Sequence, residues 1–229
     1  MPVFLLTDAL KFPPPVLAEP DGLLAVGGDL SVERLLMAYS MGIFPWYCDG
    51  DPILWWSPDP RLLLFPHEFK VSRSLNQTIR KGTFTVTFDT AFEEVINRCS
   101  AVCRKGGSGT WITGDMIRAY VSLHEAGYAH SVEARADGQL AGGLYGVALG
   151  GMFCGESMFS DRSNASKAAL AGLVQKAKEW GLLFIDCQMT TPHLVSLGAQ
   201  ETPRKIFMEL LTKALGMPAT SGNWGGKKS

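Results

Sequence analysis

Three polar residues within two apolar segments are the side chains of this sequence that could most readily do chemistry. Glu156 lies between Cys154 and Met158 in an apolar run, and Asp186 and Gln188 stand two positions apart in a second one. On a strand, a spacing of two places both side chains on the same face. A carboxylate in such surroundings is paired, lies in a cleft, has a shifted pKa, or is buried and satisfied by backbone N–H groups. Together the three residues indicate a site shared by neighbouring strands.

A strand meander, a helix and a further strand are predicted to position these residues. The predicted segments are strands over 128–136, 139–149 and 152–159, a helix over 164–180 and a strand over 182–188. Asp137-Gly138, between two alternating segments, is a strong hairpin signal. Gly142-Gly143 inside the second strand predicts either a β-bulge or the close approach of a ligand to the backbone.

The composition is that of a globular protein with a sizeable core. Of 229 residues, 46% are hydrophobic and 19% are charged, and the net charge is −1, so a contact with nucleic acid needs a local basic patch. No apolar run approaches the roughly 18–20 residues of a membrane span, and the first residues lack the basic region and cleavage site of a signal peptide. Five cysteines without metal-ligand spacing indicate reduced thiols and no metal site. We therefore predict a cytoplasmic protein that contacts no membrane.

Residues 1–62 are rich in aromatic residues and proline and are predicted to form a small N-terminal domain. Prolines between positions 45 and 60 exclude regular structure there, and Trp46 stands in a loop, where a ring can stack on a base. For Trp55 and Trp56 we expect packing instead. Trp111 precedes Thr113, a predicted helix cap, and is either a second stacking residue or a hydrophobic staple.

A basic cluster surrounds a short helix predicted over 72–80. Its members are Lys70, Arg73, Arg80 and Lys81. No acidic residue lies between the first and the last of them. In a nearly neutral chain this local excess of positive charge has two interpretations, a solvated helix face or a surface that contacts phosphates.

The helix after the predicted strand 83–88 has its own start signal. Asp89 and Thr90, with Glu93, predict an N-cap and a capping box for a helix that runs to about Cys103. The glycine-rich connector that follows, Lys105–Gly109, lacks the Gly-Lys-Ser/Thr ending of a phosphate-binding P-loop.

Motifs spread over almost the whole chain, from Phe12 to about Phe207, resemble those of the leucyl/phenylalanyl-tRNA–protein transferase family. They are, in order, Gly22–Leu30, Gly42–Trp46, Leu54–Arg61, Gly109–Thr113, His130–Glu133, Gly155–Ser160, Asn164–Lys167 and Ile185–Gln188. The resemblance implies an α+β fold in which the small N-terminal domain (1–62) precedes an N-acetyltransferase-like (GNAT-like) domain over 63–217. The order of the predicted strands and helices agrees with that fold. The glycine-rich end of the chain, 218–229, is predicted to be a disordered tail.

The resemblance also implies a reaction, the transfer of Leu or Phe, with Met as a further candidate, from aminoacyl-tRNA to the N-terminal Arg or Lys of a protein, which marks that protein for degradation. No cofactor is implied. An α-amino group has a pKa of about 7.7–8.0, so of order a tenth of it is neutral at pH 7 and positioning can lower much of the barrier. We expect Gln188 to hold the attacking amine by its carbonyl oxygen and Asp186 to support it. Glu156 is expected to bind substrate, either the cationic acceptor or the ribose hydroxyls or α-amine of the donor.

The donor side chain needs an apolar pocket. The predicted pocket residues are Leu144, Phe153, Met158, Leu173 and Ile185. Such a pocket selects by shape, which is worth about 1–3 kcal/mol. Trp46 and Trp111 are expected to hold the 3′-adenine, and the basic cluster to contact phosphates of the acceptor stem.

Two other functions remain open. A CoA-dependent N-acyltransferase of the same fold would need a glycine-rich turn at a helix N-terminus to cradle the pyrophosphate, and neither Gln139–Leu144 nor Ser163–Lys167 provides one. A catalytically silent module that binds tRNA or peptides is the second alternative.

One position near the site departs from the family pattern. Thr191 stands three residues after Gln188, where Asn is common in the family. A hydroxyl keeps a donor and an acceptor but is shorter than an amide, so we expect an altered network around Gln188.

Overall fold

The computed structural model describes residues 3–102, 111–218, 222, 224 and 225. In this part of the chain the strands are β1 (Phe4–Leu6), β2 (Leu23–Gly27), β3 (Phe44–Pro45), β4 (Leu54–Trp56), β5 (Arg61–Leu64), β6 (Thr85–Phe88), β7 (Ala129–Ala136), β8 (Gln139–Leu149), β9 (Met152–Ser160), β10 (Phe184–Gln188) and β11 (Gln200–Thr202). The helices are α1 (Val32–Ser40), α2 (Arg73–Arg80), α3 (Phe92–Ser100), α4 (Gly114–Glu125), α5 (Ala165–Trp180), α6 (Pro192–Ser196) and α7 (Arg204–Leu215). Among the described residues, no helix has the length and apolar character needed to span a bilayer.

Two sheets organise the chain. The N-terminal sheet has the strand order β1-β2-β4-β3, and the larger sheet has the order β11-β5-β10-β9-β8-β7-β6. The prediction that prolines exclude regular structure between positions 45 and 60 is wrong, because β4 lies there and pairs with β2 and β3. In the larger sheet, β6 to β9 form an antiparallel meander, α5 follows, and β10 lies parallel to β9. The structure confirms the predicted α+β class and the predicted order of meander, helix and strand.

The larger sheet is covered on both faces. On one face α5 packs an apolar stripe, Leu170, Leu173 and Val174, against side chains that include Val132 and Ile185. Helix positions three and four apart lie on one side of a helix, which explains the stripe. On the other face, residues of α3, α4 and α7 join residues of the N-terminal sheet in one core. The two units of the chain therefore share buried side chains.

The structure confirms the turn and the β-bulge that were predicted in the meander. Asp137 (φ 53°) and Gly138 (φ 78°) form the two-residue turn between β7 and β8. The β7–β8 ladder shifts register next to Gly142, which is the predicted bulge. A Cβ on Gly142 would lie 2.6 Å from the Cβ of Ala165. Thus the group that approaches this backbone closely is the start of α5.

The predicted capping box at the start of α3 is wrong. Ala91 precedes α3 and offers no capping side chain. The Asp89 carboxylate instead accepts the backbone N–H of Ser131 at 2.9 Å and lies 2.8 Å from Nδ1 of His130. Long-range bonds to β7 therefore replace the local cap that the sequence suggested.

Two predicted segments extend beyond the described residues. The connector Lys105–Gly109 lies outside them, and so do 219–221, 223 and 226–229 of the predicted tail. At one described tail position, Trp224 packs against the larger sheet, and its ring stacks on His130 with 4.0 Å between ring centroids.

Candidate active site

A cavity opens where β9 and β10 part. The two strands pair in parallel as far as Cys154 and Asp186, and β9 then continues to Ser160. The gap belongs to a cavity of about 470 Å³, lined by residues of β9, β10 and α5 and, from the N-terminal unit, Phe44 and Trp46. The cavity lies where the polar residues of the two strands predicted a site.

Glu156 reaches this cavity through a bulge in β9. Along the β8–β9 ladder Tyr145 pairs with Ser157 and Gly146 pairs with Gly155, so Glu156 is the extra residue. A bulge re-aims the side chain of its extra residue. Glu156 is buried and lines the cavity.

Among the described residues, the Glu156 carboxylate is bound by neutral groups. The Tyr120 hydroxyl donates to Oε2 at 3.0 Å, and the Gln188 side-chain amide donates to Oε1 at 2.8 Å. Tyr120 is in turn bonded to the hydroxyl of Tyr39. Burial raises the pKa of Glu156 to about 7, although the hydroxyl and amide donors act in the opposite direction. Glu156 can therefore gain or lose a proton near neutral pH.

Asp186 has a charged partner and does not line the cavity. Nε of Arg61 donates to Oδ1 at 2.9 Å and Nη2 donates to Oδ2 at 2.7 Å, and both side chains are 1% exposed. The guanidinium also lies over the rings of Phe44 and Phe207, at 4.8 and 4.7 Å from their centroids. This buried ion pair joins β5 and β10 to the N-terminal sheet and to α7.

Asp186 reaches Gln188 through the backbone. The Gln188 N–H donates to Oδ1 of Asp186 at 2.9 Å. The β5–β10 ladder shifts register between the two residues, and Gln188 has φ 61°, so the strand alternation that predicted a common face is interrupted there. The Gln188 side chain lies in the cavity lining. Its Nε2 is committed to Glu156, and no described residue donates a hydrogen bond to its Oε1.

The structure brings the predicted pocket residues together. Leu144 pairs with Met158 across β8 and β9, and Phe153 pairs with Ile185 across β9 and β10, which places the side chains of each pair side by side. Leu173 of α5 completes this apolar wall of the cavity. Each of these residues lines the cavity that holds Glu156 and Gln188.

Trp46 and Trp111 line the same cavity. Trp46 is held by Trp56, whose indole N–H donates to the Trp46 carbonyl at 2.7 Å and whose ring meets it edge to face. Trp55 is fully buried and donates to a carbonyl of β2, which confirms the prediction that Trp55 and Trp56 pack. Thr113 caps α4 as predicted, since its hydroxyl accepts the N–H of the third helical residue at 3.3 Å.

The basic cluster is exposed on and around α2. Its members, none of which takes part in an ion pair with another described residue, are Lys70, Arg73, Arg80 and Lys81. The side-chain amide of Asn164 donates to the hydroxyls of Ser74 and Thr78 on α2, at 2.9 and 3.2 Å. Thus α2 and its charges are fixed next to the turn between β9 and α5.

The start of α5 offers little to a pyrophosphate. Within the chain, the Ala165 N–H donates to the Arg162 carbonyl at 3.0 Å and the Ser166 N–H donates to Oγ of Ser160 at 3.2 Å. A CoA cradle would need such amides to be open to the cofactor. As for metals, the described residues contain no group of three or more His, Cys, Asp or Glu side chains that could hold an ion.

Sequence reasoning missed two partners of the acidic residues. Arg61 was visible only as the last residue of the motif Leu54–Arg61, and it lies 125 positions from Asp186. Tyr120 follows Met116 by one helical turn on the buried face of α4, so it looked like an ordinary core residue. Its signal was the hydroxyl, because a buried Tyr usually finds a hydrogen-bond partner.

Thr191 and His193 complete the cavity wall beside Gln188. The Thr191 hydroxyl accepts the N–H of Leu194 at 3.2 Å and so caps α6. His193 is in the same helix, and burial, assisted by the charge of Lys167, lowers its pKa. The hydroxyl of Thr191 therefore serves the backbone of α6, and no hydrogen bond joins it to Gln188 in the described structure.

Comparison with known proteins defines the family. A family model described as leucyl/phenylalanyl-tRNA protein transferase matches residues 63–212, and a model for the N-terminal domain of that transferase matches residues 28–59. The chain belongs to the leucyl/phenylalanyl-tRNA–protein transferase family, which confirms the resemblance seen in the sequence.

Individual relatives match over nearly the full chain. A leucyl/phenylalanyl-tRNA–protein transferase of Desulfatibacillum aliphaticivorans is 60% identical over 224 residues, which cover 98% of this chain and 96% of the relative. A protein of the same name from Syntrophotalea carbinolica is 59% identical over 220 residues, which cover 96% of each. Among solved structures, a GCN5-related N-acetyltransferase from Kribbella flavida matches with a TM-score of 0.40 and 14% identity, over 77% of this chain and 62% of that one.

Proposed function

We propose that this protein transfers Leu or Phe from aminoacyl-tRNA to the N-terminus of an acceptor protein in the cavity between β9 and β10. The observation that carries the proposal is the 2.8 Å hydrogen bond from Gln188 to Glu156, set between an apolar wall and two tryptophans in one cavity. Family membership supplies the class of reaction, aminoacyl transfer. The cavity supplies a place for each part of the donor.

The reaction is the aminolysis of an ester. The neutral α-amine of the acceptor attacks the carbonyl carbon that joins the amino acid to the 3′-oxygen of the tRNA. A C–N bond forms, the C–O bond breaks, the amine loses a proton and the 3′-oxygen gains one. About a tenth of an α-amine is already neutral at pH 7. Correct placement of the two reactants therefore contributes most to lowering the activation barrier.

Gln188 orients the attacking amine. Its Nε2 is held by Glu156, which leaves Oε1 to accept an N–H of the amine. Asp186 is a positioning residue, because it fixes the backbone of Gln188 through the N–H at 2.9 Å and is itself fixed by Arg61.

Glu156 accepts the proton that the amine loses and returns it to the leaving 3′-oxygen. A pKa of about 7 suits both steps at neutral pH. The raised pKa also means that part of the Glu156 population is uncharged at neutral pH, which weakens its attraction for a cationic acceptor. This proposed proton transfer differs from both roles expected from the sequence, which were pairing with the cationic acceptor and binding the ribose hydroxyls or α-amine of the donor.

The aminoacyl-tRNA donor contacts the apolar and aromatic walls of the cavity and the basic cluster outside it. Its side chain fits the apolar residues between β9, β10 and α5, and Trp46 and Trp111 hold the 3′-adenine by stacking. Acceptor-stem phosphates contact the basic cluster on α2, which lies next to the β9–α5 turn. Aminoacyl-tRNA is a cytoplasmic molecule, which supports a cytoplasmic location.

The acceptor carries an N-terminal Arg or Lys, and transfer marks it for degradation. Support comes from Glu201, which is exposed and takes part in no ion pair with another described residue. The Thr190 hydroxyl, in the cavity lining, donates to the Glu201 carboxylate at 2.8 Å. A cationic side chain at this rim can pair with Glu201 while its α-amine reaches Gln188.

The decisive experiment follows labelled Leu-tRNA, Phe-tRNA or acetyl-CoA in the presence of a peptide that begins with Arg and of a matched peptide that begins with Ala. We expect label to move from tRNA to the Arg peptide, and Gln188→Ala to lower kcat by about 100-fold, as misplacement of a reactant does. Unchanged kcat with a weaker binding constant in Gln188→Ala would contradict the orienting role.

Other outcomes separate the alternatives. Label that moves only from acetyl-CoA indicates a CoA-dependent N-acyltransferase, and salt-sensitive tRNA binding without transfer indicates a binding module. Glu201→Gln should reduce the preference for Arg over Ala peptides, with Glu209→Gln, a change at an exposed position of α7, as the control. Lys81→Ala should lower the dependence of log Kd on log salt by about 0.7–0.9 for one lost phosphate contact, whereas Lys205→Ala should not.

A further inference from the structure

Trp224 lies directly behind the apolar wall of the cavity. Its ring packs against Phe153, with 5.6 Å between ring centroids, and Phe153 lines the cavity. Trp224 itself does not line it. Phe153 therefore stands between the cavity on one side and Trp224 on the other.

Trp224 is fixed by contacts to several elements. Its ring stacks on His130 of β7 and meets Phe88 of β6 and Trp180 of α5 edge to face. Its backbone N–H donates to the buried carboxylate of Asp89 at 2.8 Å. These contacts cover the sheet beyond the C-terminal end of α5, and they hold the indole in one place.

The ring of Phe153 is also closely packed against the backbone of β8. A Cβ on Gly146, its neighbour on β8, would lie 2.6 Å from the Phe153 ring, so the ring rests on the bare backbone of that glycine. Closely packed rings keep their positions because any shift forfeits contacts. The placement of Phe153 in the cavity wall thus depends on its contacts with both Gly146 and Trp224.

We propose that Trp224 is a positioning residue that sets the depth of the donor pocket through Phe153 and so sets the preference between Leu and Phe donors. The proposal rests on the assignment of this cavity wall to the donor side chain. With Trp224 in place, the wall is fixed and the pocket is shallow. Without it, Phe153 can turn towards the vacated space, and the pocket gains room for the larger Phe side chain.

The test is Trp224→Ala in the full-length protein, with kcat/KM measured separately for Leu-tRNA and Phe-tRNA. We expect the Phe:Leu ratio to rise about three- to tenfold, below the roughly 10–200-fold that a methylene-sized change inside a pocket produces. Trp224→Phe should retain most of the wild-type ratio. Leu211→Val, a buried change in α7 outside the cavity lining, controls for general destabilisation. Such destabilisation lowers kcat/KM equally for both donors and leaves the Phe:Leu ratio unchanged.

Phe153→Leu distinguishes the role of Trp224 from the assignment of the donor pocket. It should raise the Phe:Leu ratio by itself, and Trp224→Ala should add nothing in the Phe153→Leu background. If Phe153→Leu changes the ratio and Trp224→Ala does not, the role of Trp224 is wrong while the donor pocket stands. If neither changes the ratio, the assignment of the pocket is wrong as well.

Discussion

Two buried carboxylates on neighbouring strands have opposite kinds of partner. Asp186 accepts two hydrogen bonds from the guanidinium of Arg61, whereas Glu156 is held by a phenol and an amide. The guanidinium forms a buried ion pair with Asp186, whereas the neutral donors of Glu156 leave burial to raise its pKa. The comparison shows that depth of burial does not define the role of an acid. The partner decides which carboxylate holds the fold together and which can exchange a proton.

The largest expected effect is on the ion pair. Arg61→Met leaves the Asp186 charge buried without compensation, and we expect the free energy of unfolding to fall by about 3–5 kcal/mol in urea titrations. Arg118→Met, which removes the exposed pair with Asp115, should cost less than about 1 kcal/mol. A double variant with Asp186→Leu should recover part of the loss, and equal costs for Arg61→Met and Arg118→Met would contradict the structural role of the pair.

Glu156→Gln tests the other carboxylate through pH. The pKa of Glu156 is about 7 in the folded chain and about 4.5 as an ordinary value, so the folded state holds this proton more tightly and stability falls as pH rises between these values. Between pH 4.5 and 8, the free energy of unfolding of the wild type should fall by about 3 kcal/mol relative to that of Glu156→Gln. The rate of transfer should also lose its inflection near pH 7 in the variant. Parallel pH dependences of the two proteins would exclude a titrating Glu156.

Tyr120→Phe should sharpen the same comparison with a smaller effect. The Tyr120 hydroxyl stabilises the charged form of Glu156, so its loss should move the inflection of the pH–rate profile upwards by roughly 0.5–1 unit, equivalent to about 1 kcal/mol. Tyr47→Phe is the control, because the Tyr47 hydroxyl lies near Thr113 and not near Glu156. A downward shift would show that Tyr120 does not donate to the carboxylate.

The smallest effect is expected at Thr191. Thr191→Asn introduces the residue that the resemblance to the family implies at this position, and both residues cap helices well, so stability should change by less than about 0.5 kcal/mol. The kcat should also stay close to that of the wild type, because the described structure shows no hydrogen bond between Thr191 and Gln188. A large gain in kcat would show that an amide at this position completes the network around Gln188.

The sequence predicted the parts of the site that follow from local pattern. Strand runs and the Asp137-Gly138 turn located the meander, and the strand pairings Leu144–Met158 and Phe153–Ile185 then bring the predicted pocket residues together. The positions of Trp46 in a loop and of Trp111 before a helix cap made both candidates for stacking, and the resemblance to the family added the 3′-adenine as their expected ligand.

What the sequence could not predict depends on residues far apart in the chain. Arg61, the partner of Asp186, is 125 positions away from it. The Asp89 carboxylate, which the local sequence predicted as a helix cap, instead binds His130 and Ser131 of β7. The bulge at Glu156 arises from the match between β8 and β9, because a shift of register is a property of two strands. Trp224 belongs to a glycine-rich end of the chain that was predicted to be disordered. In the structure its ring packs against aromatic side chains of β6, β7, β9 and α5.

The left-handed backbone of Gln188, at φ 61°, has a consequence for how this protein can change over time. Glycine adopts that conformation without the steric penalty of a side chain. A mutation from Gln to Gly would therefore delete the amide that we propose to orient the amine while relieving the backbone, and the basic cluster on and around α2 would remain. The relieved backbone offsets part of the cost of losing the hydrogen bond to Glu156, so a binding-only descendant of the enzyme lies within a few nucleotide changes.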